Sequence, residues 1–208
     1  QTGCLTAINI NDMENGSSVD LLDGNDIDIR SIIEEECEGF TYGDMTSVAV
    51  SSDGTKLALA IQAEGYADNG RAAIFTCNDG TLTFEAAYET GVQPDMITFT
   101  PDDRKVLTAN EGEPREGYGS GVTDPVGTVT VIDLDSKSTN NIGFTDYDST
   151  EMRQELVDKG IILKKGTNPS VDFEPEYIAA GNNTAYVTLQ EANAIAVIDL
   201  STNEVTGI

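Results

Sequence analysis

Short runs of apolar and β-branched residues, alternating with polar ones, recur along this chain. Each is bounded by Asp, Asn, Gly or Pro. Ser47 to Ser51 (SVAVS) leads through Ser52-Asp53-Gly54 into Lys56 to Gln62 (KLALAIQ). Met96 to Thr100 (MITFT), Pro101-Asp102-Asp103 and Lys105 to Asn110 (KVLTAN) repeat the arrangement. A third copy runs through Tyr177 to Ala180, Gly181-Asn182-Asn183 and Thr184 to Gln190. Such runs predict strands, and the turn residues between them, tolerant of positive φ, predict tight hairpins. Each copy continues into a third strand, GRAAIFT from Gly70, GTVTVIDL from Gly127 and NAIAVIDL from Asn193. Weaker fourth strands follow at Leu82 to Tyr88, Asn141 to Phe144 and Glu204 to Ile208.

Four antiparallel strands in roughly 40–50 residues is the unit of a β-propeller blade. The predicted fold is therefore all-β, a propeller of four-stranded antiparallel blades. Gly3 to Asn11 (GCLTAININ) has the pattern of a third strand, with Ser18 to Leu22 as its fourth and the acidic stretch Asp23 to Cys37 as a connector. Its IDIRSII core adds a strand or a turn of helix. The boundaries read as 1–40 for the end of one blade and the connector, 41–91 and 92–144 for two blades, 145–175 for an insertion, and 176–208 for a further blade. The insertion carries one short helix, Thr150 to Lys159, capped by Asp148 or Ser149 and ended by Gly160. About three and a half blades do not close a ring that needs about 4–8. The remainder of the propeller is thus an expected partner, as a second polypeptide, a missing segment or a second copy. The competing architecture is a compact sandwich.

Charge narrows the function. The net charge is −26 over 208 residues. Nucleic acid is excluded as a partner, because phosphate binding needs clustered Lys and Arg. The acidity reads either as a solubilising surface or as carboxylates gathered for a hard cation such as Ca²⁺. The chain contains no His, which excludes Ser-His-Asp and Cys-His catalysis and His-containing zinc sites within it. Cys4, Cys37 and Cys77 match no metal spacing; they permit one disulfide, with Cys37 and Cys77 as the candidate pair, or buried thiols. No apolar run approaches the ~20 residues of a membrane span, and no basic-then-apolar leader is present, so no membrane insertion is expected of this segment.

Two stretches resemble a known family. PDMITFTPDDRKVLTANEGEPREGYGSGVTDPVGTVTVID, from Pro94, and DFEPEYIAAGNNTAYVTLQEANAIAVIDL, from Asp172, are similar to the bacterial choice-of-anchor I surface proteins. That family belongs with the YVTN-type propellers and includes chains labelled alkaline-phosphatase-like and mesenchyme-specific cell-surface glycoprotein. The resemblance covers roughly 43–208. It implies a secreted or cell-surface, bacterial, seven-bladed propeller whose anchor lies elsewhere in the precursor.

Candidate chemistry gathers where second strands end. Gln62 with Glu64, Asn110 with Glu111 and Glu113, and Gln190 with Glu191 stand at corresponding places, which a propeller brings towards one face around its channel. Asp172, Glu174 and Glu176 enter from the neighbouring loop. Glu111, Glu113, Asp172, Glu174, Glu176 and Glu191 are the expected ligands of Ca²⁺ or another divalent cation, since such ions take carboxylate and carbonyl oxygen. The alternative is that they pair with Arg115 or Lys, or cap backbone amides. Asn110, Arg115, Tyr118 and Gln190 are the expected ligand-binding residues. Asp133 and Asp199 read as turn residues. The glycines between Gly112 and Gly121 lack the ending of a phosphate loop, so no nucleotide cofactor is expected. The reading is a secreted or surface binding or scaffold module for a protein or glycan, with an acidic, Ca²⁺-binding loop face. The alternative is a metal-dependent phosphoric ester hydrolase, in which carboxylate-bound metal ions activate water without His.

Overall fold

The computed structural model describes residues 3–8, 24–78, 81–117 and 121–208. The strand expected at Ser18 to Leu22 lies outside them, as does Tyr118.

Three four-stranded antiparallel sheets follow one another, each a simple meander. The first blade is β3 (Tyr42–Val50), β4 (Lys56–Ala63), β5 (Asn69–Asn78) and β6 (Thr81–Val92). The second is β7 (Pro94–Phe99), β8 (Lys105–Asn110), β9 (Thr128–Asp133) and β10 (Ser138–Ile142). The third is β11 (Pro175–Ala180), β12 (Thr184–Leu189), β13 (Ala194–Asp199) and β14 (Glu204–Gly207). Before them, β1 (Cys4–Ile8) pairs with β2 (Gly24–Asp28) in a two-stranded sheet. The fold is a run of propeller blades.

Blades stack because the pleat sends successive side chains to opposite faces. Ala58 and Ala60 of β4 and Ala72 and Ile74 of β5 face Ile97, Phe99, Val106 and Ile132 of the second blade. Leu107, Ala109, Val129 and Val131 then face Ala185, Val187, Leu189, Ala196 and Ile198 of the third. Polar bonds sew the seams. Thr46 Oγ1 donates to the Pro94 carbonyl at 2.6 Å, and Gly91 N to Thr130 Oγ1 at 3.2 Å.

Helices are more numerous than the single one expected. Besides α2 (Thr150–Asp158), the described residues hold α1 (Ile29–Glu36), the short α3 (Pro169–Asp172) and a 3₁₀ turn at Thr145–Tyr147. Asp28 caps α1 by accepting the Ser31 N–H at 3.0 Å. An eight-residue helix is unstable alone. Its four-residue spacing of Ile29 and Ile33 buries both fully against Leu57, Leu59, Ile61 and Phe75 of the first blade, each contributing about 1.5–3 kcal/mol. The acidic connector is thus a strand and a helix that cover the outer face of the first blade. Ser149 caps α2 through the Met152 N–H at 3.1 Å. Leu156 is its buried anchor, and Gly160 follows at φ 89°.

Asp133 and Asp199 are turn residues. Asp133 Oδ1 accepts the N–H and hydroxyl of Ser136, both at 2.8 Å, and Asp199 Oδ1 those of Ser201 at 2.7 and 2.6 Å. No disulfide joins Cys4, Cys37 and Cys77; the thiols of Cys37 and Cys77 are half-buried.

Candidate functional site

The starts of the innermost strands β7 and β11 and the ends of β8 and β12 lie at one end of the blades, and the acids of interest sit there. Asp95 is on β7; Glu111 and Glu113 follow β8; Asp172 ends α3; Glu176 is on β11, just after Glu174; Glu191 is in the turn after β12. The loop after β8 is drawn onto the third blade. A Cβ on Gly127 would stand 1.9 Å from the Phe173 carbonyl oxygen, so only glycine allows this approach.

These carboxyls crowd one another. Burial, then the charges of Asp95, Glu113, Glu176 and Glu174, push Glu111 up to about 7. Burial, then a hydrogen bond and the charge of Glu191, then Asp95 and Glu174, push Glu176 up to about 7. Asp95 is raised by burial against the opposing charge of Arg115. Glu174 is raised by burial although Lys164 opposes it.

Lys164 is the cation of this corner. Its ammonium lies 3.0 Å from Glu174 Oε1 and 3.5 Å from Asp172 Oδ1, and its N–H donates to Asp172 Oδ2. The insertion holds it there. Arg153 of α2 donates to the Lys164 and Thr167 carbonyls at 2.6 Å each. Asp148 accepts the Ser170 N–H at 2.9 Å, and Phe144 meets Phe173 edge to face. Asp172, Glu174 and Glu176 are all under 9% exposed. Among the described residues, no three acidic or cysteine side chains stand close enough to share one metal ion. The expected metal ligands are gathered as a field of charge, two of them already paired with Lys164.

The expected ligand-binding residues go different ways. Arg115 is exposed and donates at 2.8 Å to Gln62 Oε1, facing Asp95. Gln190 is exposed in its turn. Asn110 is fully buried; its Nδ2 donates to Thr130 Oγ1 at 2.8 Å and Thr128 Oγ1 at 3.1 Å, and its Oδ1 accepts from Thr108 at 2.8 Å. The first-turn hydrogen bonds explain the difference. Ser51 N to Lys56 O and Thr100 N to Lys105 O align Lys56 with Lys105. Gln62 therefore corresponds to Glu111, and Asn110 to Ile61. The third blade follows suit, because Leu134 N to Arg104 O matches Leu200 N to Asn183 O, setting Gln190 against Glu111. Asn110 lies one residue earlier and points to the other face.

Gln93 and Lys164 were not singled out by sequence. Gln93 sits at φ 55°, nearly buried; its Nε2 donates to the carbonyls of Glu113 at 2.7 Å and Tyr66 at 2.8 Å. It pins the loop bearing Glu113 and Arg115. The only sequence signal was its place before Pro94. Lys164, in a Lys-Lys pair among acids, carried a weak one.

A family model described as choice-of-anchor I domain matches residues 2–208. No curated protein matches the chain. Among solved structures it is similar to Kuenenia stuttgartiensis hydrazine synthase, with a TM-score of 0.49 and 13% identity, over 74% of this chain and 39% of that one. It is similar also to U3-55K, with a TM-score of 0.44 and 8% identity, over 82% of this chain and 39% of that one. A putative 6-phosphogluconolactonase from Bacteroides fragilis NCTC 9343 gives 0.35 and 12%, over 78% and 55%. The chain spans about two fifths of the length of the first two.

Proposed function

The chain belongs to the choice-of-anchor I domain family, and from that membership we propose a surface-associated β-propeller module that binds through its acidic loop face. The observation that carries this reading is the gathering of half-buried carboxyls, in which burial first and the neighbouring acids second push Glu111 and Glu176 up to about 7. Carboxyls that resist ionisation because they are buried and face one another are relieved by positive charge. The ligand is therefore cationic, and Ca²⁺ is its simplest form, since the face offers only oxygen donors beside Lys164 and Arg115. No preformed shell stands ready among the described residues, so an ion is held by the summed field of the carboxyls rather than by a fixed set of ligands. Affinity is accordingly modest, and basic segments of a protein partner compete for the same field.

The test is calorimetric titration of the chain with Ca²⁺, then with a lysine-rich peptide, against Glu176→Gln and Glu111→Gln. Saturable binding weakened in both variants is the expected result. Absence of heat and of any thermal shift with either probe overturns the reading.

A further inference from the structure

The two seams between the blades differ at their outer edge. At the first, the outermost strand β6 lies against β8, β9 and β10. At the second, the corresponding strand β10 scarcely meets β13 or β14. The insertion between β10 and β11 enters there instead. Its 3₁₀ turn is closed by the N–H groups of Tyr147 and Asp148, which donate to the Phe144 and Thr145 carbonyls at 3.0 and 3.1 Å. Asp148 is anchored on the N–H and hydroxyl of Ser170, and the Ser149 cap starts α2 immediately afterwards. The turn is thus held from both sides.

Between this insertion and the fourth strands β10 and β14 lies a cleft of about 610 Å³, within the size range of small-molecule sites. Ile142 of β10, Val205 of β14 and Met152 of α2 form its apolar lining, and Tyr147 adds a half-buried ring. Its charged lining is Asp146 and Glu204, both exposed. Among the described residues neither carboxylate makes a hydrogen bond or an ion pair. Lys159, whose charge reaches Tyr147, is paired with Glu155 at 3.0 Å. None of the lining residues belongs to the acidic loop face.

We infer that this cleft binds a small organic amine, an ammonium group carried on an apolar stem. The lining selects that chemistry. An anion is repelled by the two carboxylates, and a neutral apolar molecule leaves both without a partner. An ammonium donates charge-assisted hydrogen bonds to Asp146 and Glu204. Its charge is also attracted to the face of the Tyr147 ring. The stem then covers Ile142, Val205 and Met152, removing apolar surface from water.

The chain has four methionines, so methionine-methyl NMR gives a sparse spectrum in which Met152 is assigned through Met152→Leu. Phenethylamine is titrated at about 0.15 M salt, where loose attraction between exposed charges is screened. Phenethyl alcohol and phenylacetate, of similar shape, serve as the neutral and anionic controls. A saturable shift of the Met152 methyl is expected with the amine, about tenfold weaker binding with the alcohol, and no response with the acid. The double variant Asp146→Asn with Glu204→Gln, at exposed positions, should keep the parent spectrum and lose the amine response. Glu111→Gln and Glu176→Gln should leave that response intact, which separates this cleft from the acidic loop face. An unmoved Met152 methyl, equal binding of amine and alcohol, or an undiminished response in the double variant overturns the inference.

Discussion

Asp103, in the first turn of the second blade, accepts the backbone N–H of Ser52, in the first turn of the first blade, through both carboxylate oxygens, at 2.8 and 3.0 Å. The Ser52 hydroxyl donates to the same carboxylate. The next seam repeats the device, with Asp102 N donating to Asn182 Oδ1 at 3.1 Å. Equivalent turns of successive blades are thus tied tip to tip, and the tie fixes how one blade sits on the next. Asp103 also holds φ 56°, a conformation Asp and Asn tolerate better than Ala. Asp103→Ala should destabilise the chain by about 2 kcal/mol, from the lost charged bonds and the left-handed backbone together. Asp103→Gly removes only the bonds and Asp103→Asn keeps one acceptor, so both should cost less. Urea midpoints of the three variants separate the two contributions.

Asn110 and Gln190 should part company under mutation. Asn110→Ala strips partners from Thr108, Thr128 and Thr130 in a space with no exposure. A loss of about 2–3 kcal/mol is expected. Gln190→Ala, at an exposed turn, should fall within about 0.5 kcal/mol of the parent. Chemical denaturation measures both.

The blades were legible because their signal is local. Asp-turn hairpins, Val-Ile-Asp strand ends and alternation each lie within ten or so residues. What was not legible needed register. Reading Asn110 as the partner of Gln62 and Gln190 was a slip of one residue, which in a pleated strand exchanges core for surface. The IDIRSII core left strand and helix open because Asp28 is one acid among many and the buried pair Ile29 and Ile33 makes too short a stripe to outweigh them. Glu64 fits the repeat on paper, yet it is exposed after β4, whereas Glu111 is half-buried beside Asp95, Glu113, Glu174 and Glu176.

Lys164→Met should be the most damaging change at the acidic face. It leaves Asp172 and Glu174, whose side chains are 3% and 6% exposed, without the ammonium between them. Removing one partner of a fully buried charge pair costs about 3 kcal/mol or more, and the cost here should be smaller because the Lys164 side chain is 37% exposed. The double variant Lys164→Met with Glu174→Gln should recover much of that loss, because one of the stranded charges is gone. A double-mutant cycle by denaturant unfolding reads the coupling, and additive losses would show that Lys164 acts there through packing alone.

Stability should peak in mild acid. Glu111 and Glu176 stand at about 7 in the fold against an ordinary 4.5. Between those values the folded chain binds more protons than the unfolded one, so stability falls with rising pH. Their contribution is complete below about 4.5 and lost as pH climbs through about 7. The turn aspartates work the other way. Asp133 is held down to about 2, chiefly by the Ser136 N–H and hydroxyl, so its contribution is present above the ordinary 3.8 and lost as pH drops through about 2. Urea midpoints measured from acid to neutral pH should therefore rise, crest between the two windows and decline towards neutrality. Glu176→Gln should flatten the neutral limb and leave the acid limb alone, and Asp133→Asn should do the reverse. Saturating Ca²⁺ should also flatten the neutral limb, because an ion on this face offsets the burial cost and the repulsion that together cause it.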